Sequence, residues 1–152
     1  MDTRQNATTT KTQVTEEKAT ETILLVEDDN QLRELARTIL SSRGYTVLIA
    51  DRPENAEGVC RKYEGEIDLL LTDVVMPGMS GKEVAEVVRQ LRPGIKVLFM
   101  SGYTRDSVIQ RGVQDDSRAF LQKPFSPFTL VAKIRDLLDQ QTEMSASQES
   151  SS

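Results

Sequence analysis

The apolar residues of this chain fall into two kinds of segment that alternate along it. Five runs are short and nearly continuous: Ile23 to Val26, Thr46 to Ala50, Ile67 to Leu71, Ile95 to Met100 and Arg118 to Leu121. Such runs are expected of strands buried on both faces. Between them apolar positions recur with helical spacing, first Leu32, Leu35, Ala36, Ile39 and Leu40, then Val84, Val87, Val88 and Leu91. After the last run Leu130, Ile134, Leu137 and Leu138 repeat it. The punctuation agrees. Ser80-Gly81-Lys82-Glu83 has the form of a capping box, Ser126-Pro127 sets an N-cap before a proline at the first helical position, and Asp29 is placed to cap the helix of Leu32. Gly44 and Gly112 stand where helices should stop. Asp51-Arg52-Pro53 opens a helix running to about Tyr63, and a short polar pattern marks another between about Thr104 and Gln110.

Strand and helix alternating five times predict an α/β domain, because parallel neighbours need a crossover and the crossover is the helix. The expected fold is a flavodoxin-like (βα)5 three-layer sandwich with a five-stranded parallel sheet of order 2-1-3-4-5. In that order strands 1 and 3 are adjacent, and their carboxyl ends meet at the switch point where such sheets bind ligands.

Composition sets the limits. The 152 residues hold one domain of ordinary size. Residues 1–21 and 140–152 are almost wholly Thr, Gln, Ser, Glu, Lys and Asn and read as disordered tails or linkers, leaving 22–139 as the domain. A net charge of −5 and a pI near 4.9, with no basic stripe, argue against nucleic acid as a direct partner. With no His and only Cys60, neither a Cys/His zinc site nor an internal disulfide can be assembled, and Cys60 reads as a small apolar helix residue. No run approaches the roughly 20 apolar residues of a membrane span, and no signal-peptide core opens the chain. A cytoplasmic protein without a membrane partner is expected.

The chemistry gathers at the strand ends. Glu27-Asp28-Asp29 follow the first run and Asp73 the third; Ser101 closes the fourth and Lys123-Pro124 follow the fifth. Carboxylates converging at one sheet edge repel each other unless a cation sits among them. Hard oxygen donors of this kind suit Mg²⁺, with Asp28 and Asp73 as direct ligands, Glu27 acting through water and the backbone carbonyl of Val75 as a further protein oxygen. A carboxylate beside such a cation can attack phosphorus to give an acyl phosphate, while Lys123 and the metal neutralise the phosphoryl oxygens and Ser101 hydrogen-bonds one of them. Taken singly, Asp29 is a helix cap and the other acids are loop residues; their order at successive strand ends favours a site. An FMN-binding protein on the same sheet would meet repulsion from Glu27-Asp28-Asp29. A phosphatase of external substrates would need an acid where Val75 stands.

Residues 22–139 resemble a response-regulator receiver domain, the phosphoacceptor module of two-component signalling. The motifs are Leu25-Val26-Glu27-Asp28-Asp29, Leu71-Thr72-Asp73-Val74-Val75-Met76-Pro77-Gly78-Met79-Ser80-Gly81, Met100-Ser101-Gly102-Tyr103 and Leu121-Gln122-Lys123-Pro124-Phe125. The resemblance implies that Asp73 is phosphorylated, that Glu27 and Asp28 support Mg²⁺, that Ser101 is the switch hydroxyl and Lys123 the phosphate-binding lysine. It implies that Phe120 is the aromatic switch residue, acting through packing because it lacks the hydroxyl of the family's common tyrosine. Glu27 stands for the frequent aspartate. A receiver is no enzyme toward other substrates and catalyses only its own phosphorylation and dephosphorylation. Its expected donor is a histidine kinase, a histidine phosphotransfer protein or a small acyl phosphate, since a chain without His cannot carry the phosphohistidine. Met76 to Lys82 and Leu98 to Thr104 resemble receivers at the C-terminal end of hybrid sensor histidine kinases. A free regulator, monomeric or weakly dimeric on phosphorylation, fits the sequence equally.

Overall fold

The computed structural model describes residues 19–102 and 119–151, with side chains through Gln140. Five strands, β1 (Thr22–Val26), β2 (Thr46–Ala50), β3 (Leu69–Asp73), β4 (Lys96–Ser101) and β5 (Phe120–Gln122), form one parallel sheet. Its order is β2-β1-β3-β4-β5, the expected 2-1-3-4-5. The helices are α1 (Asn30–Ser42), α2 (Ala56–Lys62, entered through a 3-10 turn at Pro53–Asn55), α3 (Gly81–Leu91) and α4 (Pro127–Ser151). The helix expected near Thr104 to Gln110, its stop at Gly112 and the Arg118 start of the fifth run lie outside the described residues.

Alternation along each strand builds the three layers. Leu24, Val26, Leu70, Val97, Phe99 and Phe120 meet Ala56 and Cys60 of α2 and Val84, Ala85 and Val88 of α3. Ile23, Leu25, Leu69, Leu71, Leu98, Met100 and Leu121 meet Ala36 and Leu40 of α1 and Leu130, Ile134 and Leu137 of α4. Successive side chains of a strand point to opposite faces, so a continuous apolar run is what a sheet covered on both sides requires. Right-handed crossovers do the rest: the chain winds outward from β1 to β2 and then returns past β1 to β3, which puts α1 and α2 on opposite faces.

The helix boundaries follow the side chains predicted to make them. Asp29 Oδ1 accepts from Leu32 N at 3.0 Å and opens α1. Ser80 and Glu83 exchange both hydrogen bonds of a capping box at α3, and Ser126 Oγ accepts from Thr129 N at 3.0 Å at α4. Gly44, with φ +99°, follows the C-cap of α1 in a conformation that favours glycine.

Several details differ from the sequence reading. The third strand runs from Leu69 to Asp73 rather than from Ile67 to Leu71. Asp68 instead bonds sideways to the start of β1, giving its N–H to Thr22 O and taking Thr22 N–H on Oδ2, both at 2.8 Å. Pairing of Asp73 with Met100 carries the ladder to the acid itself. In α1, Leu35 belongs to the apolar stripe by spacing yet is 48% exposed, because the sheet meets only the part of the stripe around Ala36 and Leu40. Finally, the α4 backbone is helical to Ser151, past residue 140 where composition predicts a disordered tail. Once nucleated, a helix gains one hydrogen bond per added residue, and Gln, Glu, Met and Ala propagate it well.

Candidate functional site

The register between β1 and β3 pairs Val26 with Thr72, so the next residues, Glu27 and Asp73, reach the carboxyl edge side by side. With Asp28 they bring one carboxylate oxygen each within 4.8 Å of one another. Glu27 and Asp73 are buried, at 1% and 8% exposure, and Asp28 faces solvent. Lys123, just past β5, spans two strands to reach them: its Nζ donates to Asp73 Oδ2 at 3.0 Å and to Glu27 Oε1 at 3.2 Å. Its backbone N–H donates to Ser101 O at 2.8 Å, which ties the lysine to the buried last residue of β4. The Lys123-Pro124 bond is cis. Asp29, expected as a helix cap, also gives its N–H to Glu27 Oε2 at 3.0 Å.

Electrostatics sharpen this arrangement. Burial pushes both the Asp73 and Glu27 carboxyls above their usual range; the hydrogen bond from Lys123 opposes it at Asp73, and the N–H of Asp29 opposes it at Glu27. Burial also pulls on the Lys123 ammonium, but the hydrogen bond and charge of Asp73, joined by Glu27, win and hold it above its ordinary value. Three carboxylates around one ammonium leave an excess of negative charge facing water. The donor set consists of hard oxygens, with one carboxylate open to solvent, so it fits a hard divalent cation that keeps part of its water shell.

The structure thus brings Glu27, Asp28, Asp73, Ser101 and Lys123 together. Val75 lies two residues past Asp73, with its side chain 39% exposed. Phe120 is packed in the core with the α2 and α3 side chains. Two contributors escaped the sequence reading. A Cβ at Gly81 would run into the carbonyl oxygen of Asp73, so the glycine that begins α3 is there to let the helix approach the acid, and its N–H donates to Val74 O at 2.8 Å. A glycine at the first helical position, where it improves no cap, was the available signal. Arg33 reaches back from α1 to the Glu27 carbonyl at 2.9 Å; no local pattern announces that contact.

Comparison with known proteins gives the same picture. The family model described as "Response regulator receiver domain" matches residues 23–135. The sensor kinase CckA of Brucella abortus is 38% identical over 130 residues, covering 82% of this chain but 14% of the kinase. The response regulator receiver protein CpdR of the same organism is 34% identical over 116 residues, covering 76% of this chain and 95% of that protein. Among solved structures, the receiver domain of the hybrid histidine kinase CckA superposes with a TM-score of 0.64 at 35% identity, over 77% of this chain and 98% of that one. A response regulator receiver protein from Sinorhizobium medicae does so with 0.70 at 26% identity, over 80% and 97%. Among the described residues no helix is long and apolar enough to cross a membrane. A family match spanning β1 to α4, joined by a relative matched over nearly its whole length, makes this chain a member of the response regulator receiver family of two-component signalling.

Proposed function

We propose that Asp73 is the phosphoacceptor and that the phosphoryl group comes from the phosphohistidine of a histidine kinase or a histidine phosphotransfer protein. The observation that carries this reading is the buried Asp73 carboxylate held at the sheet edge with the Lys123 ammonium 3.0 Å away. One Asp73 oxygen forms the new bond to phosphorus as the P–N bond to the donor imidazole breaks. The imidazole leaves with the bonding pair and takes up a proton. Lys123, fixed by its backbone bond to Ser101, turns its ammonium from Asp73 to a phosphoryl oxygen, and the Ser101 hydroxyl hydrogen-bonds another. Glu27, Asp28 and Asp73, whose carboxylate oxygens cluster, would hold Mg²⁺, with the Val75 carbonyl as the further protein oxygen that the sequence suggests. When bound, the cation would supply positive charge to the phosphoryl oxygens, adding to that of Lys123.

Such a group shifts a two-state equilibrium only by its differential affinity for the two states. Ser101 and Lys123 sit at the ends of neighbouring strands and share a backbone hydrogen bond, so drawing Ser101 toward the phosphate pulls on β5 and on Phe120, which rearranges by packing. The surface of β5 and α4 is then what a partner reads. Incubation with phosphoramidate or acetyl phosphate and Mg²⁺ should add the mass of one phosphoryl group, and EDTA or Asp73→Asn should abolish it. Labelling of Asp73→Asn at the wild-type stoichiometry overturns the assignment.

A further inference from the structure

We propose that Arg33 is a positioning residue of the acidic site: by gripping the peptide between Glu27 and Asp28 it sets the direction of both carboxylates toward the cation. The inference rests on the divalent-cation reading given above. β1 ends at Val26, the last residue paired with both Ala50 and Thr72. Beyond it the carbonyl of Glu27 takes a side-chain partner, Arg33 Nη1 at 2.9 Å in a half-buried setting. That carbonyl belongs to the peptide joining the two acids. A peptide unit is planar and rigid, so holding its oxygen fixes the plane and with it the Cα atoms of Glu27 and Asp28 at its two ends.

The rest of the turn is fastened in the same manner, from the first turn of α1. Asp29 N–H holds the Glu27 side chain through Oε2 at 3.0 Å, and Asp29 Oδ1 takes Leu32 N–H at 3.0 Å. Arg33 N–H donates to Asp29 O at 2.9 Å, while its Nη2 contacts Asn30 Oδ1. Arg33 therefore holds both ends of the turn, the Glu27 carbonyl with its guanidinium and the Asp29 carbonyl with its backbone. Asp28 lies between, exposed, and owes its aim to the peptide on its N-terminal side. Groups that orient metal ligands commonly govern affinity by 10–100-fold without touching the ion.

The test compares Arg33→Ala, Arg33→Lys and the control Arg37→Ala, whose guanidinium pairs with Glu34 one turn further along α1 at 2.8 Å. Mg²⁺ affinity is read by calorimetric titration, folding by thermal melting in EDTA, and the phosphoramidate reaction over a range of Mg²⁺. Arg33→Ala should weaken Mg²⁺ binding by about tenfold and raise the Mg²⁺ needed for half-maximal phosphorylation in proportion, with the rate at saturating Mg²⁺ within about threefold of wild type. Arg33→Lys, which keeps one donor for the carbonyl, should recover part of the affinity, and Arg37→Ala should bind as wild type. Lowered melting with unchanged Mg²⁺ affinity in Arg33→Ala would assign the residue to stability alone and overturn the proposal. So would equal loss in Arg37→Ala. If wild type binds no Mg²⁺, or Asp28→Asn binds it as well as wild type, the cation reading itself falls and this inference with it.

Discussion

Removing the ammonium from the acidic site tests the electrostatic account most directly. In Lys123→Met the stem keeps its approximate length while the charge 3.0 Å from Asp73 and 3.2 Å from Glu27 disappears. At an effective dielectric of about 20, each contact corresponds to about 5 kcal/mol of attraction. Desolvation of the ions offsets much of that, and stripping one partner from a buried set usually costs 3–5 kcal/mol. The lysine side chain is 21% exposed, which places the expected loss near the lower end, about 3 kcal/mol in EDTA. Excess Mg²⁺ should restore more stability to the variant than it adds to wild type, because the cation then meets carboxylates with no competing ammonium. The sign with pH is fixed as well. Burial holds the Asp73 and Glu27 carboxyls high, so the folded state binds more protons than the unfolded one above pH ~4. The contribution of these two carboxyls to metal-free stability is complete below the unfolded value and is lost as pH rises through the folded values, more steeply without Lys123. Urea denaturation at several pH values, with EDTA or Mg²⁺, reads all three effects. A metal-free loss under about 1 kcal/mol, with no change in pH slope, would show that the ammonium is not the counter-charge these carboxylates need.

Three further outcomes are expected. Gly81→Ala puts a methyl group against the Asp73 carbonyl and should destabilise the domain by about 1–3 kcal/mol in urea while slowing phosphoramidate labelling, since the clash displaces the acid's own backbone; a neutral effect on both would mean that α3 shifts freely. The Arg135 guanidinium, 2.8 Å from Glu21, holds that carboxyl below its usual range against the pull of burial. This contribution is complete above the unfolded value of about 4 and is lost as pH falls through the folded value, so Glu21→Gln should cost about 0.5–1 kcal/mol at neutral pH and little in acid. Stability curves of the two proteins that stay parallel down to low pH would contradict it. Val75, two residues past Asp73, offers no hydrogen bond to orient a hydrolytic water, whereas Tyr103 lies outside the described residues. Val75→Asn should therefore lose phosphate from Asp73 about tenfold faster in Mg²⁺, and equal or slower decay would show that this side chain does not gate the water.

The sequence by itself determined the sheet and the identity of the acids. Short continuous apolar runs fit strands covered on both faces, their alternation with helical spacing fits parallel crossovers, and the caps at Asp29, Ser80 and Ser126 are local interactions legible within four residues. What the tertiary structure decided are relations between residues far apart in the chain. Lys123 and Asp73 are 50 positions apart and meet because β4 lies between their strands and the lysine follows the far one. The strand boundary at Asp73 was set by pairing with Met100, and the exposure of Leu35 by how much of α1 the sheet covers. Arg33 and Gly81 escaped because their contributions, a donated bond to a carbonyl and the space beside another, involve backbone atoms. Every residue carries those atoms, so no side-chain pattern marks which of them will be approached.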